Sequence, residues 1–371
     1  MNIDELSLSF GEKIVFSLSA LYGRYGYSQY KMSKFEEYDL YARNKAFLIS
    51  DGVITFTDTN GKLMALKPDV TLSIIKNSKD EEKTVQKVYY NENVYRTDKG
   101  NGAFKEIMQV GLECIGRIDS YSISEVILLA CKSLKAISES SVLDISHSGF
   151  VSGVIDSFGI PEENKARVLK CISEKNVHEL HTICSDASLS EEKINALKSL
   201  ITTCGAPDEA LPVIKSAFEG LAETGSLTQL SAVISALSDD SVKDMLRIDF
   251  SVVDDVNYYN GIVFKGFVEG IPTVVLSGGQ YDKLMQRMNR KSGAIGFAVY
   301  LDTLERFVDT KNDYDVDCVV LYNESTDLLS LSRFINSLIL QGKSVTAQWE
   351  APDGIRYKEL IEFFDGEVTE G

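Results

Sequence analysis

The sequence is poor in the residues that most often build metal or nucleophilic centres. It has only three histidines, His147, His178 and His181, and none joins the cysteines in a cluster of metal-ligand spacing. His178 and His181 stand three apart on a helical stretch, where they either seat a metal or line a solvated face. The six cysteines (Cys114, Cys131, Cys171, Cys184, Cys204 and Cys318) are scattered without a C-x-x-C pair. That spacing argues against a disulfide framework or thiolate zinc site and fits buried thiols in a reducing compartment. The familiar phosphate cradles are also missing, with no GxxxxGK followed by Ser or Thr and no GxGxxG, and there is no nucleophile elbow.

Basic charge is scarce too. With 38 Lys and Arg against 55 Asp and Glu, the formal net charge is -17. Such a field repels a phosphate backbone, so tRNA or DNA binding would require a local basic patch. The densest one, Lys283 to Lys291, is modest and falls on and after a helical stretch. No apolar run reaches the roughly 18 residues of a membrane span. The acidic start MNIDEL is unlike a secretory leader, so a cytoplasmic protein with no membrane partner is expected. At 371 residues, two or three domains are expected.

What is present centres on Val88 to Gly116, VYYNENVYRTDKGNGAFKEIMQVGLECIG, which reads as strand, polar loop, strand. In the second strand Met108, Val110, Leu112 and Cys114 alternate with Lys105, Gln109, Gly111 and Glu113. Alternate side chains point to opposite faces, so the apolar set can meet a core while Gln109 and Glu113 share the other face. Those two would stand about 13 Å apart, with a gap expected above Gly111. Arg96 adds a cation near the same floor. A cation, an amide and a carboxylate around a gap suit a small zwitterion with a polar side chain, although a solvated hairpin face has the same pattern.

Elsewhere, residues 10 to 25 are helical in pattern, and Phe47 to Leu66 is hairpin-like, with turn signals at Asp51-Gly52 and Asn60-Gly61. In LKPDVTLSII, Pro68 disfavours helix at Lys67 and Asp69 can cap a helix begun near Val70. Capping is thus one role for Asp69 and Thr71, and ligand binding another. Tyr121 to Ile137 reads as helix and Val142 to His147 as strand. From Gly149 to about Ser241 the pattern is almost wholly helical. Strands resume at Met245, with Asn260-Gly261 as a strong hairpin signal. A strand at Thr273 to Leu276 ends at Gly278-Gly279, Gly293 to Phe307 is a Gly-rich entry into a helix, and the chain closes as β-α-β. The implied divisions are 1–148 and 245–310 for a β-rich core, 149–244 for a helical insertion, and 311–371 for a short α/β segment.

Together these segments resemble the class II aminoacyl-tRNA synthetases, in particular the histidyl branch. The resemblance covers most of residues 1 to 307. It implies an α+β fold in which an antiparallel sheet is packed with helices. LKPDVT resembles that family's LRPEGT, which implies that Asp69 and Thr71 bind the α-amino group of histidine. VYR resembles the start of the second class II motif and implies Arg96 near the carboxylate. MQVGLE resembles FHQLGCE, implying Gln109 on the histidine backbone and Glu113 on its imidazole. VNYYNGIVF resembles LDYYxxTVF, implying that Tyr258 and Tyr259 line the imidazole pocket, and GGQYDKL and GAIGFA resemble the third-motif region.

The departures fall on the nucleotide half. Asp254 stands where the family has an arginine that acts in adenylate formation, and Thr303 where it has one that stacks on adenine. Arg306 lies a helical turn beyond. The second-motif loop is one residue short, with Ala103 in place of a phosphate-binding arginine and Lys105 as a remaining cation. A triphosphate is activated mainly by fixed cations, and neither Asp254 nor Thr303 supplies one. The final segment resembles only the first β-α-β of a synthetase anticodon-binding domain.

A histidine pocket without catalysis resembles the family of regulatory subunits of ATP phosphoribosyltransferase. That resemblance implies no catalytic residue, metal or cofactor, a homodimer, and a hetero-oligomer with the catalytic subunit in which histidine is the feedback inhibitor. It implies no tRNA partner. A divergent histidyl-tRNA synthetase and a free-standing histidine-binding module are the alternatives.

Overall fold

A computed structural model of the chain describes residues 8–45, 48, 52–80, 83–97, 102–237, 240–253, 258–307, 314–364 and 367–370. The chain forms two compact units, Met1–Val308 and Asp309–Gly371. Among the described residues no helix is long and apolar enough to cross a membrane.

The first unit opens with helix α1 (Phe10–Arg24), which starts in a reciprocal capping box between Ser9 and Glu12. Short strands β1 (Ser28–Gln29) and β2 (Phe35–Glu37), helix α2 (Tyr38–Arg43), and strands β3 (Thr55–Thr57) and β4 (Leu63–Leu66) follow. Helix α3 (Val70–Asn77) begins at an Asp69 N-cap whose carboxylate accepts from the Leu72 N–H. Next come the paired strands β5 (Val85–Thr97) and β6 (Phe104–Gly116), helix α4 (Ser120–Ile137) and strand β7 (Ser141–His147). Helices α5 (Ser148–Ser157), α6 (Glu162–Ser173), α7 (Val177–Asp186) and α8 (Glu191–Thr202) lead to the two-residue strand β8 (Cys204–Gly205). Helices α9 (Pro207–Ala217), α10 (Gly225–Ser235) and α11 (Asp240–Lys243) complete the helical stretch. Strands β9 (Leu246–Asp249), β10 (Ile262–Val268) and β11 (Leu276–Gln280), helix α12 (Asp282–Arg287), strand β12 (Gly293–Tyr300) and helix α13 (Leu301–Phe307) close the unit.

Nine strands form one sheet in the order β1-β5-β6-β12-β11-β10-β7-β9-β8. It is antiparallel except where β1 joins β5 and β9 joins β7. Because register partners share a face, the pairing sorts side chains unambiguously. On β6 and β12 the residues Val110, Leu112, Cys114, Ile295, Phe297 and Val299 join the main core, which continues into α1, α4 and the helical stretch. Gln109, Gly111, Glu113, Gly296, Ala298 and Tyr300 occupy the other face. A second core lies on that side, with Leu72, Ile74 and Ile75 of α3 packed near Tyr90 and Tyr281.

Three readings of local sequence change here. Asn260-Gly261 is not a hairpin turn but a joint beside β11. The Asn260 N–H donates to the Gln280 carbonyl (3.0 Å), and its side-chain oxygen accepts from the Asp282 N–H (2.8 Å). The strand expected at Thr273 to Leu276 is Leu276–Gln280 instead, and it runs through Gly278-Gly279 because β10 and β12 flank it on both sides. Gly293 to Tyr300 is a strand before the helix begins. Ala294, Gly296 and Ala298 alternate with Ile295, Phe297 and Val299, so period-two patterning wins over the usual breaking effect of glycine. The Asn60-Gly61 turn does join β3 to β4, with Gly61 at φ 79°, while Asp51 lies outside the described residues.

The second unit is larger than a β-α-β. Strand β13 (Val316–Leu321), helix α14 (Leu328–Leu340) and strand β14 (Val345–Gln348) are followed by β15 (Tyr357–Phe364) and β16 (Glu367–Glu370). They form a four-stranded sheet in the order β14-β13-β15-β16. The last two strands escape a pattern reading because YKELIEFF interleaves charge with apolar residues on a half-exposed surface.

Candidate functional site

A cavity of about 250 Å³ opens on the second face of the nine-stranded sheet. Its floor is made by residues with little or no side chain. Glycine at 111, 279 and 296 is required by close approach, since an added Cβ would sit 2.4 Å from the Tyr90 hydroxyl, 2.7 Å from the Tyr259 ring and 1.8 Å from Glu113 Oε2 respectively. Each glycine therefore admits one of the side chains that shape the site. The gap expected above Gly111 is accordingly not empty: Tyr90, its register partner on β5, lies across it.

All seven residues singled out from the sequence line this cavity: Asp69, Thr71, Arg96, Gln109, Glu113, Tyr258 and Tyr259. Gln109 and Glu113 come from one face of β6, Arg96 from the end of β5, and Asp69 and Thr71 from the start of α3. Arg96 Nε donates to the Pro68 carbonyl (3.0 Å), which ties that start to the sheet. Asp69 caps α3 and also lines the cavity. Tyr258 packs edge-on against Tyr259 with centroids 4.7 Å apart, and tilts against Tyr281 at 5.9 Å. The backbone of this aromatic segment is held from the helical stretch, because Ser148 Oγ donates to the Tyr259 carbonyl (2.9 Å) and the Ser148 N–H to the Gly261 carbonyl (2.8 Å).

Glu113 is the electrostatic centre. It is 2% exposed, and its two oxygens accept separate hydrogen bonds, from Thr71 Oγ1 (2.7 Å) and from the Tyr281 hydroxyl (2.5 Å). Burial pushes its carboxyl up to about 8; both hydrogen bonds oppose the rise and the charge of Asp69 adds to it. Burial also raises Asp69, against the pull of the Leu72 N–H and of Arg96. The phenols of Tyr90, Tyr258 and Tyr281 are raised by burial and stay neutral, and that of Tyr281 donates to Glu113. Once ionised, each oxygen of Glu113 keeps a further lone pair, so the carboxylate can accept an N–H from a small polar group without dismantling its supports.

Tyr90, Tyr281, Tyr300, Ser277 and Lys265 line the cavity as well and were not singled out. Tyr281 lies in the GGQYDKL stretch, two residues after Gly279, and Tyr90 is placed only by the pairing of β5 with β6. Of the substituted positions, Thr303 is on α13, Lys105 pairs across the hairpin with Arg96, and Ala103 immediately precedes β6. Arg306 is also on α13, though its side chain lies outside the described residues, as does Asp254. His178 is exposed on α7 and the ring of His181 lies beside Ser185 and Glu191. Among the described residues no group of three or more His, Cys, Asp or Glu is placed to hold a metal ion.

Comparison with known proteins adds a lineage to this geometry. The family model described as Histidyl-tRNA synthetase matches residues 8–304. A protein of Caldanaerobacter subterraneus subsp. tengcongensis named ATP phosphoribosyltransferase regulatory subunit is 30% identical over 284 residues, covering 75% of this chain and 73% of that one. A protein of the same name from Oceanobacillus iheyensis is 26% identical over 283 residues, covering 76% and 69%. Among solved structures, an ATP phosphoribosyltransferase regulatory subunit/histidyl-tRNA synthetase from Bacillus halodurans superposes with a TM-score of 0.77 at 21% identity, covering 98% of this chain and 100% of that one. A chain of the ATP phosphoribosyl transferase (HisG:HisZ) complex from Thermotoga maritima gives 0.63 at 18% identity, covering 79% and 97%. At those identities the structural likeness speaks for the fold.

Proposed function

Because this chain belongs to the histidyl-tRNA synthetase family and, within it, to the ATP phosphoribosyltransferase regulatory subunits, we propose that its cavity holds free histidine and reports occupancy to a separate catalytic subunit. Glu113 carries this reading, as a buried carboxylate with both oxygens braced and a lone pair left on each for an imidazole N–H. Asp69 and Thr71 take the ammonium group, Gln109 the backbone, and Arg96 the carboxylate. Tyr258 and Tyr259 pack on the ring.

The chain does not itself react the histidine. Asp254 and Thr303 supply neither of the two arginines that adenylate formation would use, and a net charge of -17 disfavours tRNA. A ligand that is bound but not consumed acts by shifting another equilibrium, which requires that the two states bind it differently. The equilibrium is that of the ATP phosphoribosyltransferase catalytic subunit, a reading supported by the likeness to a chain of the Thermotoga ATP phosphoribosyl transferase (HisG:HisZ) complex. A homodimer on the synthetase pattern, joined to that partner in the cytoplasm, is the assembly we infer.

Titration calorimetry with histidine tests the pocket. Removing the Glu113 acceptor from a desolvated site costs about 1 to 3 kcal/mol, so Glu113→Ala weakens binding by about five- to 150-fold. An unchanged dissociation constant would place the ligand elsewhere. Mixing the chain with the catalytic subunit and following phosphoribosyl-ATP formation tests the coupling. Histidine inhibition that is equally strong without this chain would reduce it to a free-standing histidine binder.

A further inference from the structure

The cavity is asymmetric along β12. Three of the residues on that face line the cavity, Gly296, Ala298 and Tyr300, paired in register with Glu113, Gly111 and Gln109. Side-chain size thus rises from nothing beside Glu113 to a full phenol beside Gln109. The Tyr300 hydroxyl is fixed by Ser277 Oγ at 2.6 Å, and Ser277 also lines the cavity, one strand further on. The main chain there is fixed as well, since the Tyr300 N–H donates to the Val275 carbonyl at 2.9 Å. In register with Gln109, Tyr300 stands four residues along β12 from Gly296, the partner of Glu113, and Arg96 and Asp69 line the same cavity.

We propose that Tyr300, braced by Ser277, is the end wall of the cavity: it stands behind the carboxyl group of the bound amino acid, so the site admits the free amino acid and rejects the same molecule extended through its carboxyl. The inference rests on the histidine reading and adds to it a specificity-determining residue. If Ser277 donates to the phenol oxygen, the phenol hydrogen is free to meet a ligand carboxylate beside Arg96. Any group attached to that carboxylate would have to occupy the volume of the ring. The wall therefore blocks the direction in which an activated histidine would grow, independently of the missing arginines.

The test uses two amides of equal charge, histidinamide and histidine β-naphthylamide, so that only bulk at the carboxyl end differs. Titrated into the full-length wild-type chain, the naphthylamide is expected to bind at least about tenfold more weakly than histidinamide, the scale of a steric penalty of one to a few kcal/mol. Tyr300→Gly should reduce that ratio by about tenfold. Tyr300→Phe keeps the ring and should leave the ratio near the wild-type value. Equal binding of the two amides by wild type overturns the wall, and needs no variant to fold. A ratio unmoved in a folded Tyr300→Gly protein overturns it too. Failure of wild type to bind histidine at all overturns the pocket reading, and the wall with it.

Discussion

The two faces of strands β6 and β12 divide the same twenty-one residues between them and do opposite things. One carries Val110, Leu112, Cys114, Ile295, Phe297 and Val299, all at most 3% exposed within the main core. The other carries Gly111, Gly296 and Ala298, and the space they leave is occupied by Tyr90, Glu113 and a cavity. The first face contributes stability by filling volume. The second contributes a site by leaving volume unfilled, and it admits a buried carboxylate whose charge is costly there. The strength of the filled face is what allows the open face to be kept.

The sharpest way to break this comparison is to empty the filled face. Leu112→Ala, at 0% exposure, should cost about 2 to 5 kcal/mol in urea unfolding, while histidine binding to the folded fraction changes little. The converse is to fill the open face. Gly296→Ala would set a methyl 1.8 Å from Glu113 Oε2 and 2.4 Å from the Leu112 carbonyl, so strand and carboxylate must both give. We expect about 1 to 3 kcal/mol of destabilisation, together with loss of histidine binding by calorimetry. Unaltered affinity would show that Glu113 is not where the ligand sits.

A third experiment reads the cost of the buried carboxylate directly. The folded state holds the Glu113 proton up to about 8 against an ordinary 4.5, so between those values it binds more protons than the unfolded chain. The contribution is therefore complete below about pH 4.5 and is lost as pH rises through about 8. Ligand-free wild type should lose more stability over that window than Glu113→Gln, whose amide does not titrate. Parallel curves would mean that Glu113 is ionised throughout. The smallest effect is expected for Tyr281→Phe, which removes one of the two donors to Glu113. It should weaken histidine binding by the net value of one hydrogen bond, about 0.5 to 1.5 kcal/mol, and move the pH dependence of binding upward, because that donor holds the carboxyl down.

Much of this was readable in the sequence where chemistry and periodicity coincide. The alternation from Lys105 to Cys114 predicts both faces of β6, and Asp69 reads as a cap. The motif resemblances select the seven lining residues. What the sequence conceals is occupancy and register. Gly111 signals an absence, yet nothing local says that Tyr90 fills it, because that follows from pairing β5 with β6. Gly278 and Gly296 look like breaks, and become strand only because neighbours on both sides supply the hydrogen bonds. Asn260-Gly261 has the local chemistry of a turn, but long-range bonds to Gln280 and Asp282 claim its polar groups. Tyr300 escapes notice because its role depends on Ser277, twenty-three residues earlier in the chain.

Ser148 couples a helix mechanically to the aromatic segment. It is the first residue of α5, and with two hydrogen bonds it grips the carbonyls of Tyr259 and Gly261. Helix and aromatic segment therefore share a rivet. A tilt of α5 cannot be absorbed locally without lengthening one of those bonds, and otherwise it drags the main chain beneath the Tyr258 and Tyr259 rings. By reciprocity, a ligand that settles those rings stiffens the helix in turn, and anything that favours one tilt of the helix alters the ligand's affinity by the same factor.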